Sequence, residues 1–481
     1  MTPKDLLFVV YLVISWILVL YGTNLYYLLF KSIRNHNLPL RMALNPAPTV
    51  TIQLPVYNEM YVVRRLVTSI CKIDYPKSNM EIQVLDDSND DTVTICNDVV
   101  EEFRKQGYDI EHIRRGTRSG FKAGALQNGL SRAKGEFIAI FDADFVPNPD
   151  FLTQTLPYFA SREIGLVQAK WGHLNEQYSS LTKAQALSLD AHFLIEQRAR
   201  SYSALFMNFN GTAGIWRKEC LEEVGGWKAS LAEDLDISLR AQLQGWKLVF
   251  LPELICPAEL PVQMNASKRQ QFRWAKGSIE CAIRHTRTIL FSKFPLETKF
   301  QAFMQLTRHV IHPLIIAQFI ILPILMLAKF DLAPVTAILT QILLGPPIYG
   351  YALTRLYGNQ WLKKVPAYFY LLLFGAGISV NNSGALAQAL LRKKSDFLRT
   401  PKFAVRGRKD EWKGKQYALP FTATALGESL MVGWGVITIL VALLTGNFFL
   451  LPHIVILTLG FAYVASLTVL HSVGTKTTGA G

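Results

Sequence analysis

Apolar residues are concentrated near the two ends of this 481-residue chain. They dominate residues 5–30 and return in long stretches after about residue 303, whereas the residues between alternate short apolar runs with charged ones. About 20 consecutive apolar residues are needed to cross the hydrocarbon core of a bilayer. The distribution therefore predicts a membrane protein with an aqueous domain inserted between its membrane-spanning segments.

The first apolar segment, residues 6–30, is too long and too aromatic for the core of a signal peptide, and no small-residue cleavage site follows it. We interpret residues 1–34 as a retained transmembrane helix. Lys31, Arg34 and Arg41 follow the apolar run, and basic residues collect on the cytoplasmic side of membrane helices. The C-terminal end of this helix is therefore expected to face the cytoplasm.

The apolar stretches near the other end predict a C-terminal transmembrane region, residues 306–481. Its basic loop, residues 391–417, should be cytoplasmic, which requires an even number of crossings before it. Polar residues interrupt the apolar run of 366–390, so we expect that segment to be interfacial or re-entrant. This gives five full spans, with six as the alternative. The candidate full spans are 6–30, 306–329, 333–354, 427–445 and 449–471.

The net charge of +14 arises from 50 Lys and Arg against 36 Asp and Glu. In a membrane protein such an excess fits basic residues that flank spans and contact anionic lipids. No helix-turn-helix, zinc-finger or RNA-binding signature accompanies it, so no nucleic-acid partner is expected. The five cysteines form no C-x-x-C pair, which argues against a disulfide framework and fits a reducing compartment.

The aqueous part, residues 45–264, alternates strand and helix patterns. Four short apolar strands separated by helices indicate a parallel α/β sheet of Rossmann-like type with helices on both faces. Ligands on such sheets bind beyond the carboxyl ends of the strands. The predicted strands are 49–54, 81–86, 109–114 and 136–144, and the predicted helices between them are 59–71, 91–105 and 122–133.

Two acidic pairs follow strands of this sheet. Asp142 and Asp144 flank a single alanine, so their carboxylates can share a divalent cation that bridges a diphosphate. Solvated loop acids are the common alternative for this short pattern. Asp86 and Asp87 end another strand, where they either contact a nucleotide or form an acidic turn.

Two further groups stand at the starts of predicted helices. Glu233 and Asp234 open one helix, where they either interact with the helix dipole or supply a general base. Lys122 lies at the start of another helix and is either solvated or directed at a phosphate.

Residues 265–305 are basic and amphipathic, which predicts helices at the membrane surface. Gln270, Arg273 and Trp274 lie on this stretch. An interfacial Trp usually anchors a helix in the membrane. The alternative assignment has Arg273 on a diphosphate and Trp274 stacked on a sugar ring.

Each motif is weak alone, but their order along the chain is informative. VLDDS, FDADF, AEDLD and QQFRW resemble the D-D, D-x-D, T-E-D and Q-x-x-R-W motifs of the processive family-2 glycosyltransferases, the cellulose synthase-like group. The resemblance covers about residues 45–415. Residues 167–197 are similar to the mannan and glucan synthase-like branch. Ala232 replaces the Thr of T-E-D, which removes a hydroxyl and keeps both acids.

Four other segments resemble functional elements of that family. PVYNE, with Glu59, and FKAGAL, with Lys122, look like its nucleotide-binding elements. FNGTAGIWR, which contains Gly211 and Thr212, looks like the segment that meets the acceptor end. FLRTPKF, residues 397–403, stands where the family has its gating loop. No cyclic-di-GMP-binding domain follows the last apolar stretch, so control by that messenger is not expected.

The resemblance implies an inverting GT-A domain that uses UDP-glucose or GDP-mannose, Mg²⁺ or Mn²⁺, and a growing glycan acceptor, in the plasma (inner) membrane and in contact with its lipids. A single-step transferase acting on a ceramide or diacylglycerol, a non-catalytic transporter and an inactive homologue are the alternatives. The resemblance assigns Asp234 and Glu233 to catalysis, and Asp142 and Asp144 to the metal. It assigns Asp86, Asp87, Glu59, Lys122, Asp142 and Arg273 to the nucleotide sugar, and Trp274, Gln270, Gly211 and Thr212 to the acceptor.

Overall fold

The computed structural model describes residues 2–34, 39–332 and 341–473. Seven strands form one sheet with helices on both of its faces. The strands are β1 (Val50–Val56), β2 (Met80–Asp86), β3 (Asp109–Arg114), β4 (Phe137–Ile140), β5 (Ile164–His173), β6 (Gly214–Arg217) and β7 (Lys247–Ala258). The helices before β7 are α1 (Pro3–Ile33), α2 (Val63–Ile70), α3 (Thr92–Lys105), α4 (Phe121–Leu130), α5 (Phe151–Thr155), α6 (Ser180–Ala191), α7 (Arg198–Tyr202), α8 (Lys218–Glu223) and α9 (Glu233–Leu243).

The helices after β7 include most of the long apolar helices of the chain. Between α6 and α7 the backbone forms a π-helix over His192–Gln197, so the continuous helical stretch from α6 to α7 changes its winding in the middle. The helices after β7 are α10 (Met264–Leu290), α11 (Leu296–Thr307), α12 (Ile311–Leu327), α13 (Gln341–Tyr357), α14 (Val365–Gly377), α15 (Ser379–Leu390), α16 (Thr424–Leu444) and α17 (Leu451–Leu470).

The sheet has the order β3-β2-β1-β4-β6-β5-β7. The pairs β1–β2, β1–β4 and β2–β3 are parallel, as predicted for the first four strands. The pair β5–β7 is also parallel, whereas β6 is antiparallel to both β4 and β5. Because β6 runs in the opposite direction, its first residues lie at the edge of the sheet where β4 ends.

Side chains on the two faces of the sheet enter separate apolar cores. Val50, Ile52 and Leu54 of β1 belong to the core beneath α2 and α3. Ile138 and Ile140 of β4 belong to the opposite core, beneath α4, α8 and α9. This alternation is the period of two that a strand imposes on its side chains. The two cores hold the strand ends in a fixed register, on which the site is built.

Among the residues that the structure describes, four helices are long and apolar enough to cross a membrane: Pro3–Ile33, Leu296–Leu327, Thr424–Leu444 and Phe448–Leu470. A fifth crossing is added if the pair Pro347–Gly377 and Ser379–Leu390, bent by 43°, counts as one broken span. The bend falls within the segment that the sequence predicts to be interfacial or re-entrant. The first eight residues of the predicted span 333–354 lie outside the described residues.

Small residues allow the bent pair to pack closely on the last helix. A Cβ added to Gly377 would lie 2.2 Å from the carbonyl oxygen of Gly460, and one added to Gly460 would lie 2.8 Å from that of Leu373. Such close backbone approach is typical of helix packing in membranes. Another buried contact, the 2.5 Å ion pair between Lys268 of α10 and Glu428 of α16, joins the amphipathic helix to the membrane helices.

Candidate active site

Two adjoining cavities lie at the edge of the sheet where β1, β2 and β4 end. The first, which we call the polar cavity, has a volume of about 1200 Å³ and contains most of the predicted site residues. The second, the membrane-side cavity, has a volume of about 1280 Å³ and extends to residues of α1, α11 and α13. The residues that line both cavities are Trp171, Leu189, Asn210, Asp234 and Trp274.

Lys122 holds the acidic groups of the polar cavity together. Its Nζ lies 2.5 Å from Asp142 Oδ1 and 3.9 Å from Glu233 Oε1, and it donates a hydrogen bond to the Gly211 carbonyl oxygen at 3.0 Å. Burial disfavours the charged amine, but the carboxylates of Asp142 and Glu233 outweigh it and raise the pKa of Lys122. Lys122 is therefore a permanent positive charge between the D-x-D and E-D motifs.

Asp144 has a separate set of partners. Lys402 Nζ lies 2.8 Å from Asp144 Oδ2, and the backbone N–H of Glu259 donates to the same oxygen at 3.1 Å. The Lys402 amine also donates to the Glu259 carbonyl oxygen. The side chains of Lys402 and Asp144 are 10% and 8% exposed, so the pair is nearly dry. Each carboxylate of the D-x-D motif is thus neutralised by its own lysine.

The two carboxylates fit a divalent cation that is held mainly by its substrate. Asp142 is one-third exposed and Asp144 lines the same cavity. Mg²⁺ commonly uses one or two carboxylates and completes its octahedron with phosphate oxygens and water. Within the described ranges, a cluster of three ligand-type side chains occurs only at Asp86, Cys96 and His112. The D-x-D pair therefore needs oxygens from a diphosphate to complete a metal site.

Glu233 and Asp234 begin α9 at the back of the polar cavity. Burial raises the pKa of both carboxyl groups, and the negative charge of Asp234 adds to the effect on Glu233. The positive charge of Arg273 opposes this rise in the pKa of Asp234 but does not cancel it. A carboxylate of raised pKa is a stronger base. Asp234 also borders the membrane-side cavity, so it is placed to take a proton from a group held there.

Asp86 does not line either cavity, although it was predicted to contact the nucleotide sugar. Its side chain is fully buried, and its carboxylate accepts from the Ser88 N–H at 2.8 Å and pairs with His112 Nε2 at 2.8 Å. Burial alone would raise the pKa of Asp86, but the hydrogen bonds from His112 and Ser88 outweigh it and lower the pKa. Asp86 therefore anchors the turn that presents Asp87, which does line the polar cavity.

Thr212 is also buried outside the cavities, although it was predicted to bind the acceptor. Its Oγ1 accepts the backbone N–H of Asp142 at 2.9 Å. The hydroxyl therefore positions the D-x-D motif rather than lining the space for a ligand. The other predicted residues that line the polar cavity are Glu59, Asp87, Gly211, Gln270, Arg273 and Trp274.

Residues 397–403, which we call the strap, cross the polar cavity. Arg399 Nη1 lies 3.2 Å from Glu59 Oε1, and the Phe403 N–H donates to Glu259 Oε1 at 2.8 Å. The Phe397 ring lies under the Arg273 guanidinium, 4.7 Å from ring centroid to Cζ. Burial raises the pKa of Glu59 to about 8, and the charge of Arg399 opposes this rise. The strap is thus held by an ion pair, a hydrogen bond and a cation–ring contact to charged side chains that line the polar cavity.

Several cavity residues were not predicted from the sequence. Arg118 lies over the Tyr57 ring, 3.5 Å from its centroid. Arg115, which does not itself line the cavity, forms a two-pronged ion pair with Asp87, which does. Glu259 follows a strand that the sequence analysis did not identify. The basic character of the segment around Arg118 and the Lys of the strap were the available signals, but neither indicates a position in the cleft.

Sequence comparison agrees with this architecture. Residues 46–277 match the family described as glycosyltransferase like family 2. The probable glucomannan 4-beta-mannosyltransferase 7 of Oryza sativa subsp. japonica is 39% identical over 277 residues, which cover 56% of this chain and 47% of the relative. The probable glucomannan 4-beta-mannosyltransferase 1 of Arabidopsis thaliana is 39% identical over 252 residues, 51% of this chain and 46% of that relative. The chain thus spans about half the length of these curated relatives.

A solved structure shares the fold. The mannosyltransferase PcManGT from Pyrobaculum calidifontis, in complex with GDP-Man and Mn²⁺, superposes with a TM-score of 0.59 at 18% identity, covering 81% of this chain and all of that one. The mixed sheet and its acidic strand ends define a GT-A glycosyltransferase domain. Residues 46–277 are thus a domain similar to the family-2 glycosyltransferases, and the chain is similar to the glucomannan 4-beta-mannosyltransferases of plants.

Proposed function

We propose that this protein is a membrane-embedded, inverting hexosyltransferase that extends a β-linked polysaccharide and moves the product towards the membrane. The observation that supports this most directly is the position of Asp234, which borders both cavities. The polar cavity carries the charges that suit a nucleotide diphosphate, and the membrane-side cavity leads to the membrane helices. A base at their junction can act on an acceptor that approaches from the membrane side.

In the proposed reaction, Asp234 takes the proton of the acceptor hydroxyl. The hydroxyl oxygen then attacks the anomeric carbon of the donor, and the bond from that carbon to the diphosphate oxygen breaks. Attack from the face opposite the leaving group converts an α-linked donor into a β-linked product. Lys122 and Arg273 stabilise the negative charge that develops on the departing UDP or GDP, the kind of electrostatic help that contributes most to many enzymes.

A bound Mg²⁺ or Mn²⁺ would neutralise further charge on the diphosphate, with Asp142 and Asp144 as its protein ligands. Trp274 lines both cavities, where its ring can stack on the acceptor sugar. Gln270 and Gly211, the other two residues proposed to contact the acceptor, line the polar cavity. The names of the curated relatives support GDP-mannose as the first donor to test, with UDP-glucose beside it.

The test uses the full-length protein purified in detergent. Radiolabelled GDP-mannose or UDP-glucose is supplied with Mn²⁺ or Mg²⁺, and the product is sized and digested with a β-mannanase or a β-glucanase. A long, digestible product supports the proposal, whereas one or two sugars on a lipid would show a single-step transferase. Absence of transfer from both donors would refute a hexosyltransferase of this type.

The catalytic assignment is tested with Asp234→Asn. General-base catalysis contributes about 10²- to 10⁴-fold, so the rate of transfer should fall within that range. The matched control is Asp109→Asn, because Asp109 is an exposed acid at the start of β3, outside both cavities. Equal rates for Asp234→Asn and the wild type would rule out Asp234 as the base.

A further inference from the structure

Asn210 lies between the two cavities, in the FNGTAGIWR segment, but the motif gives its side chain no role of its own. Its backbone N–H donates to Gln168 Oε1 at 3.1 Å, which fixes the loop before β6. The next residue, Gly211, has φ +85°, and a Cβ placed on it would lie 3.1 Å from Asp234 Oδ2. The backbone beside Asn210 therefore passes directly against the proposed base. Asn210 borders both cavities, as Asp234 does.

A chain of amide groups determines which way the Asn210 side chain points. Gln305 of α11 donates from Nε2 to Asn208 Oδ1 at 2.9 Å. Asn208 in turn donates from Nδ2 to Asn210 Oδ1 at 2.6 Å. Because each amide has its oxygen on one side and its NH₂ on the other, this amide relay turns the Asn210 NH₂ away from Asn208.

The Asn210 NH₂ has no hydrogen-bond partner among the residues that the structure describes, although Nδ2 is buried. Buried polar groups are nearly always paired, and a buried donor without a partner costs free energy. The Asn210 donor is both oriented by a built relay and placed on the wall of a cavity. These two observations together indicate a ligand oxygen as its partner.

The ligand oxygen belongs to the acceptor side of the reaction. The relay residues Asn208 and Gln305 line the membrane-side cavity and not the polar cavity. The groups suited to a diphosphate, Lys122 and Asp142, line the polar cavity and not the membrane-side one. Resting on the proposed function, we propose that the Asn210 NH₂ donates a hydrogen bond to a hydroxyl of the acceptor sugar and holds it beside Asp234.

Asn208 and Gln305 then act as positioning residues. They touch the acceptor only through Asn210, whose donor they keep directed into the junction. Loss of the donor should weaken acceptor binding and leave nucleotide binding intact. The measurements are the KM for mannotetraose or cellotetraose as acceptor, the kcat, and the Kd for GDP or UDP.

Asn210→Ala should raise the KM for the acceptor about 10- to 100-fold, the range expected for loss of one buried hydrogen bond, while the Kd for the nucleotide stays within about twofold. Asn208→Asp should raise it by a similar factor, because a carboxylate cannot donate to Asn210 Oδ1 and attracts the Asn210 NH₂ instead. The proposal is wrong if both variants leave the acceptor KM within about twofold, or if they weaken nucleotide binding as much as acceptor use.

The matched control lies on the same helix. Gln301 and Gln305 are both buried glutamines of α11, but Gln301 donates to Asn24 of α1 at 2.6 Å and lines neither cavity. Gln305→Met should raise the acceptor KM at least threefold, and Gln301→Met should not change it. Equal effects of the two would show that α11 acts through general packing.

Direct binding separates this proposal from the proposed function. Titration of the wild type with mannotetraose or cellotetraose, without any donor, should show binding that Asn210→Ala weakens. If the wild type transfers sugar but the variants behave like it, only the role of Asn210 is refuted. If the wild type neither binds these oligosaccharides nor transfers sugar, both the proposed function and this inference are refuted.

Discussion

Removal of the Lys402 amine should make the protein dependent on a divalent cation for its stability. Lys402→Met leaves the buried Asp144 carboxylate without its counter-charge. Breaking a buried ion pair by deleting one partner costs about 3–5 kcal/mol. The Glu259 N–H still donates to Asp144 Oδ2, so the lower end of about 3 kcal/mol applies.

The expected shift in melting temperature follows from the size of the domain. The unfolding entropy is about 2.1 cal/mol/K per residue, or about 0.5 kcal/mol/K for a domain of roughly 230 residues. A loss of about 3 kcal/mol therefore lowers the Tm by about 6 °C in EDTA. Mn²⁺ at about 100 times its Kd restores about 2.7 kcal/mol, because it binds only the folded state.

The assay is a thermal melt in detergent, followed by tryptophan fluorescence, with GDP present throughout and with either EDTA or Mn²⁺. Mn²⁺ should raise the Tm of Lys402→Met by several degrees more than that of the wild type, because the metal no longer competes with an amine for Asp144. Lys402→Arg keeps the charge, and Lys409→Met removes an exposed charge from the same loop. The reasoning is refuted if Lys402→Met melts like the wild type in EDTA, or if Mn²⁺ stabilises both proteins equally.

Three further substitutions test other parts of the site. Gly211→Ala places a methyl group against the Asp234 carboxylate, so the rate of sugar transfer should fall more than tenfold. The strain of an alanine at positive φ should lower the unfolding free energy by only about 1–2 kcal/mol, which a melting experiment will measure. Arg273→Gln removes a positive charge that holds down the pKa of Asp234, so this pKa should rise in the variant. The acid limb of the kcat–pH profile should then move to higher pH, and an acid limb that stays in place would contradict this. Asp236→Asn removes the carboxylate that Arg240, Arg284 and His285 share, so the unfolding free energy should fall by about 3 kcal/mol. A denaturant titration measures this loss, and an unchanged midpoint would contradict it.

The sequence predicted the first half of the sheet well because its strands are apolar, β-branched and separated by helices with clear periodicity. The strand β7 was missed because Lys247–Ala258 contains two prolines and Glu253, which resemble a loop. Its bulged pairing with β5 supplies stability that no local pattern shows. The direction of β6 was also beyond local reasoning, since four residues can pair either way.

The site was predicted at the level of motifs and only partly at the level of side chains. Asp142, which follows the end of β4, and Glu233, which begins α9, both lie close to Lys122. Asp86 looks like a member of an exposed acidic turn, but β2 extends through it and buries it against His112. Lys402 reaches Asp144 across 258 positions of chain, a contact that only the tertiary fold can create.

The antiparallel strand β6 couples the loop before it, residues 208–213, to the loop after β4, which carries Asp142. Protein engineering must therefore treat these two loops as one unit. Ile140 of β4 accepts the Ala213 N–H at 2.8 Å, and the Asp142 N–H reaches the Thr212 hydroxyl one residue further on. A slip of two residues between these strands would displace residues 208–213 from Asp142 and Asp144 by about 7 Å. If residues 208–213 are exchanged with those of a relative, Asp142 should therefore keep its position only when the graft supplies a hydroxyl at position 212. Otherwise β4 and the loop that follows it must be exchanged together with residues 208–213.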